Sequence, residues 1–199
     1  MEASFKKRLG AYVMDWLLII LMTTIISLFI PINENVLTLN KELSNLQTDY
    51  LNHQLNFTEY FIQSANIVKD LDQQQIMFYV VTIIVIISYF VIWPFYHNGQ
   101  TVGKYKLKIK VITDNNDKPT INDLLLRNII INGLGYLLIQ LLIVNILPSE
   151  SYYVTLSFLS VVQLIILITS LIMIIKNKKG LHDVIVKTKV IEVENERVN

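Results

Sequence analysis

The sequence predicts an all-α integral membrane bundle of four transmembrane helices carrying a small cytoplasmic two-stranded β element. Three observations lead there. Hydrophobic residues make up 53% of the chain and charged ones 17%, and the apolar residues gather in blocks about as long as the ~20 helical residues that cross a hydrocarbon core. Lysine and arginine collect at alternate ends of those blocks. Two segments beside the basic ends alternate apolar and polar residues with the period of a strand.

The first span, 9–30, lies in RLGAYVMDWLLIILMTTIISLFI, which runs from Arg8 to Ile30. Lys6, Lys7 and Arg8 ahead of it invite a secretory-signal reading. The run is too long for one, contains Asp15, and ends in FIPINENV with no small-x-small cleavage site, so a retained anchor is expected. The following segment, 31–75, is polar. Leu39, Leu43, Leu46 and Tyr50 recur at helical spacing, as do Tyr60, Phe61, Ala65 and Val68, which predicts two short amphipathic helices outside the membrane. NFT at Asn56–Thr58 fits a glycosylation sequon, a match common by chance.

The second span, 76–96, closes on Pro94 and a cluster of rings. The third, 124–147, carries Arg127, Asn128 and Asn132 in its first turns and is interrupted by Gly133 and Gly135. It reads either as a full span or as an interfacial helix leading into a short buried piece. The fourth covers 154–175. Lysines and arginines crowd the N-terminus, the 97–123 connection and the tail 176–199, whereas 31–75 holds only Lys41 and Lys69 and 148–153 none. The positive-inside rule therefore expects both termini and the 97–123 connection in the cytoplasm of a multi-pass plasma-membrane protein. The abundance of Ile, Asn and Lys suggests a bacterial source.

In the 97–123 connection, GQTVGKYKLKIKVIT alternates. Tyr105, Leu107, Ile109 and Val111 fall on one face, with Lys104, Lys106, Lys108 and Lys110 on the other. This predicts a half-buried strand, and VIVKTKVIEV at Val184–Val193 predicts its partner, since a lone strand leaves its backbone unpaired. The lysine row is either a contact for anionic lipid headgroups or a solvated face that sets topology.

Several chemistries are absent from the pattern. With no cysteine, a disulfide framework, thiol catalysis and the usual cysteine-containing zinc sites are excluded. GQTVGK has three residues between its glycines and a tyrosine after its lysine, so it is no phosphate-cradling loop. His53, His97 and His182 are scattered and make no metal set. His182 and Asp183 are neighbours whose side chains are expected to diverge, so no catalytic dyad is assigned. The expectation is a non-enzyme without metal or cofactor, partnered by a bilayer containing anionic lipids and by copies of itself or a membrane complex, and not by nucleic acid.

Three stretches in order, RLGAYVMD at Arg8–Asp15, NGQTVGKYKLKIKVI at Asn98–Ile112 with LLLRN at Leu124–Asn128, and KKGLHDVIVKTKVI at Lys178–Ile191, resemble the RDD family of bacterial membrane proteins. The resemblance implies that Arg8 and Asp15 are the arginine and first aspartate of the family name and that Asp183 is the second. It also implies a transport reading, since some members are reported as cation/proton antiporters.

Asp15 poses the central problem. A charged Asp at the centre of a membrane helix costs ~2.5–3.5 kcal/mol on insertion scales, and Asp15 lies about 9 Å beyond Leu9 along the axis. It must be protonated, paired, or exposed to a wet cavity. Arg8 is ~10 Å away on the same helix and leans toward the N-terminus, so Arg127 is the expected partner, leaving Arg8 for a lipid phosphate or Asp183. Arg8, Asp15, Arg127, Asn128 and Asp183 are accordingly expected to form one polar cluster. Its role is either to fix helix packing or to bind a proton or cation on a transport path. Two functions stand open: transport of a small cation coupled to protons, and a non-catalytic accessory or scaffold subunit of a membrane complex.

Overall fold

The computed structural model describes residues 1–31 and 33–193; Arg197, counted above in the basic tail, lies outside the described residues. The elements in chain order begin with α1 (Phe5–Ser27), α2 (Glu34–Leu51), α3 (Phe57–Gln74) and α4 (Ile76–Ile87), the last running through a π-helical turn at Ser88–Ile92 into α5 (Trp93–Tyr96). Then come α6 (Val102–Lys106), β1 (Ile109–Thr113), α7 (Ile121–Ile131), α8 (Leu134–Ile143), α9 (Ser149–Asn177), α10 (Leu181–Val186) and β2 (Thr188–Glu192).

Three of these stretches, α1, Ile76–Tyr96 and α9, are long and apolar enough to cross a membrane, and α7 with α8 makes a fourth if that bent pair counts as one span. The protein is thus a mostly helical membrane bundle with a small antiparallel sheet. One end of the bundle carries β1 and β2, the other the hairpin of α2 and α3. Apolar residues point outward in quantity: Leu17, Ile20, Phe158 and Leu164 are all more than half exposed. In lipid those side chains gain little by packing inward, so close contact and polar bonds must hold the helices together.

The third hydrophobic stretch departs from a simple span. It is two helices bent by 76°, joined at Gly133, whose φ of +70° is a left-handed conformation that glycine adopts without a Cβ penalty. Its two ends fix its course. Arg127 of α7 bonds Thr188 at the sheet end, while the carbonyls of Val144 and Leu147 beyond α8 accept from Gln73 and Lys69 at the hairpin end. The pair therefore traverses the bundle in two pieces. Capping explains where α7 starts: Thr120 and Asp123 satisfy each other's backbone N–H groups in a capping box.

The two strands pair antiparallel, with Val111 opposite Val190 and Thr113 opposite Thr188. The first strand starts later than its alternation predicts, because Thr101 caps the short helix α6 and Lys108 turns the chain through φ +54°. The second is likewise shortened, its first residues forming α10. Lys104, Lys106, Lys108 and Lys110 consequently do not share one strand face: the first two lie in the last turn of α6, and only Lys110 is in β1. The chain's first residues close the other edge of β2, with the Ala3 N–H donating to the Val190 carbonyl at 2.9 Å and the Glu192 N–H to that of Met1 at 3.0 Å.

A candidate site beneath the bundle

Asp15 sits on α1 with 1% exposure, and no arginine reaches it. Its partners are neutral donors. The Tyr89 hydroxyl donates to Oδ1 at 2.6 Å, the Thr101 hydroxyl to Oδ2 at 2.6 Å, and the Gly103 N–H to Oδ1 at 2.8 Å. All three suit a carboxylate, which only accepts. The expected pairing with Arg127 is thus corrected: Asp15 is stabilised by hydrogen bonds at the N-terminus of α6, where N–H groups lack helical partners. GQTVGK now has a structural reason. A Cβ on Gly103 would stand 2.5 Å from the Ala11 carbonyl oxygen and 2.7 Å from Asp15 Oδ1, and one on Gly99 2.2 Å from the Val111 carbonyl oxygen. Both glycines permit the connection to press against α1 and β1.

Tyr89 reaches Asp15 because the π-helical turn widens the helix and turns Tyr89, Phe90 and Val91, three consecutive residues, all inward. Pro94 has no N–H to give the Phe90 carbonyl four residues back. The Asn128 amide donates there instead at 3.1 Å, and also to its own Leu124 carbonyl at 2.6 Å.

The arginines meet elsewhere. Arg8 donates to Asp183 and to the carbonyl of Lys178, and Arg127 donates to Asp183 and to Thr188. Asp183 also accepts the Gly180 N–H at 2.9 Å, capping its own helix α10. It is fully buried. Burial pushes its carboxyl upward, but the Arg127 guanidinium, with Arg8, outweighs this and holds it far below the usual carboxylate range. One carboxylate thereby ties together α1, α7 and α10, which are far apart in sequence. Of the five expected cluster residues, Arg8, Arg127 and Asp183 form an ion-paired triad, while Asp15 and Asn128 stand beside it on separate hydrogen bonds.

His182 is closer to its neighbour than expected. Its Nε2 is 3.6 Å from Asp183 Oδ1, and Ser170 Oγ lies 2.9 Å from its Nδ1. The line of serine, imidazole and carboxylate invites a hydrolase reading, but two features oppose it. The 3.6 Å separation is too long for an orienting hydrogen bond. Burial, reinforced by Arg127, pushes the imidazole down to about 3, a poor base near neutral pH.

These groups line a cavity of about 180 Å³. Its lining includes the polar Arg8, Asp15, Lys104, Arg127, Asn128, Asn132 and His182 and the apolar Leu9, Leu167, Leu171 and Ile174. Burial pushes the Lys104 ammonium down to about 8, against the pull of Asp15. Among the described residues no group of three or more His, Asp or Glu side chains could hold a metal ion.

A second polar site at the hairpin end was missed in the sequence. Asp72 of α3 accepts from the Tyr79 hydroxyl and, at 2.6 Å, from the Tyr152 hydroxyl. The available signal was a carboxylate just ahead of an apolar run, with tyrosines near the same predicted interface.

No curated protein and no solved structure matches the chain. The family model described as RDD family matches residues 2–187, nearly the whole chain. Every element from the N-terminal strand edge to α10 falls within that match, and the chain belongs to the RDD family.

Proposed function

We propose that this RDD-family membrane protein is a non-catalytic accessory subunit of a membrane complex, seated in a bacterial plasma membrane with its sheet end in the cytoplasm. The observation that carries this reading is where the buried charges of the triad go. Arg8, Arg127 and Asp183 bond one another and nearby backbone, tying α1, α7 and α10 into one unit. Asp15 likewise has both oxygens engaged by Tyr89, Thr101 and Gly103. A cation path asks for carboxylate oxygens open to an ion, and here three cationic side chains face the same cavity. The lysines and arginines at the sheet end support the orientation through the positive-inside rule. The α2–α3 hairpin, with Leu37 and Leu51 exposed on α2, offers a partner surface on the other side.

Proton-coupled cation transport is the second reading, favoured by carboxylates at both ends of the bundle, Asp15 and Asp72, each held by hydroxyl groups. Ion flux in proteoliposomes separates the two. The accessory reading expects no sodium, potassium or proton flux above protein-free vesicles from folded native protein. Flux in the native chain that disappears in Asp15→Asn would overturn it in favour of transport.

A further inference from the structure

The cavity beneath the bundle has a composition that its structural role leaves unexplained. Two guanidiniums, Arg8 and Arg127, share the single carboxylate of Asp183. Lys104 adds a third cation, and among the described residues its ammonium makes no hydrogen bond or ion pair. Among the described residues Asp15 is the one acidic side chain in the cavity lining itself. Arg8, Arg127 and Lys104 thus outnumber the carboxyl groups of Asp15 and Asp183 by one, in a place of low dielectric where uncompensated charge is expensive.

A second polar group is also unanswered. The Asn132 side-chain oxygen is buried without a hydrogen-bond partner. Its orientation is set by its neighbours. Asn128 spends its N–H groups on two backbone carbonyls, so its oxygen must accept from the Asn132 amide nitrogen, which leaves the oxygen of Asn132, a residue of the cavity lining, without a donor. The lining therefore presents an unpaired cation and an unpaired acceptor.

Much of the rest of the lining is hydrocarbon. Leu9 of α1 and Leu167, Leu171 and Ile174 of α9 belong to it, and the two helices barely touch each other. Leu9 remains 39% and Leu171 42% exposed on α1 and α9, so this apolar part of the lining is not sealed by packing within the chain.

We propose that this cavity is a lateral binding site for one acidic glycerophospholipid, with its phosphate at Lys104, a headgroup hydroxyl on the Asn132 oxygen, and an acyl chain lying between α1 and α9. The phosphate supplies the missing negative charge. The hydroxyl supplies the missing donor. A soluble anion would answer the charge but leave the apolar wall uncovered, and a zwitterionic lipid would bring its own cation toward Arg8 and Arg127. This site is independent of whether the protein is an accessory subunit or a transporter.

Native mass spectrometry of the detergent-purified full chain, with phosphatidylglycerol, phosphatidylcholine and glycerol 3-phosphate as probes, tests the assignment. Phosphatidylglycerol should be retained as a single copy at least tenfold more strongly than phosphatidylcholine, and glycerol 3-phosphate should not displace it. Lys104→Gln should lower phosphatidylglycerol retention about tenfold while leaving the triad and the melting temperature in place. Leu171→Trp, which fills the apolar side without touching a charge, should lower it as well. Equal retention of the two lipids, displacement by glycerol 3-phosphate, or retention unchanged in both folded variants would each overturn the proposal.

Discussion

Asp15, which lines the cavity, and Asp183, which is bound to two arginines of its lining, are equally hidden from solvent, yet they are held in opposite ways. Asp183 rests between two guanidiniums, each from a different helix. Asp15 has no cationic hydrogen-bond partner and accepts from two hydroxyls and one backbone N–H. The difference shows how a membrane protein can bury an acid by two routes. An ion pair binds distant elements strongly but strands its partners when broken. A set of neutral donors spreads the same task over several bonds, any one of which can be lost.

The largest effect should follow from Asp183→Ala, which leaves Arg8 and Arg127 buried beside each other. Removing one partner of a buried pair costs about 3–5 kcal/mol, so little folded protein should survive detergent extraction, as read by size-exclusion chromatography. Melting that matches the native chain would remove the triad from the account of stability. Gly103→Ala should come next. The added Cβ meets the Ala11 carbonyl oxygen at 2.5 Å, and relieving that overlap costs roughly 1–3 kcal/mol and moves the Gly103 N–H off Asp15.

Smaller effects separate the two acids further. Tyr89→Phe removes one of the three donors to Asp15 and should cost about 1–3 kcal/mol, with α6 still attached through Thr101 and Gly103. A loss as large as that of Asp183→Ala would mean that the neutral donors do not act independently. The pH response sharpens the picture of the triad's surroundings. The folded state holds His182 down near 3, below its ordinary 6.5. The unfolded chain therefore binds the proton first, and stability is full above about 6.5 and falls as pH drops toward 3, by up to ~1.4 kcal/mol per unit. His182→Gln should flatten that slope in thermal melts. Lys104 is pushed down to about 8, so retention of phosphatidylglycerol should weaken about tenfold between pH 7 and pH 9 as the ammonium loses its proton.

Much of this architecture was legible in the sequence because its signals are local. Apolar block length marks the spans, alternation marks the strands, and Gly133 within an apolar run marks a weakness that becomes the 76° bend. The partners of Asp15 were hidden for the opposite reason. Tyr89, Thr101 and Gly103 lie 74 to 88 residues away and carry no charge, so a search for a compensating cation passes over them. The glycine spacing in GQTVGK, together with a threonine able to cap a helix, was the usable clue, since two close glycines imply backbone in tight contact. Arg8 with Asp183 was within reach as a charge pairing, whereas their joint capture of Arg127 depends on how α7 enters the bundle.

The ion triad also sets an order of assembly. Arg8 and Arg127 leave the ribosome well before Asp183, so during synthesis the first helix must enter the bilayer while its guanidinium still lacks its acid. Chains stopped ahead of Gly180 would carry two orphaned arginines and an unclosed sheet.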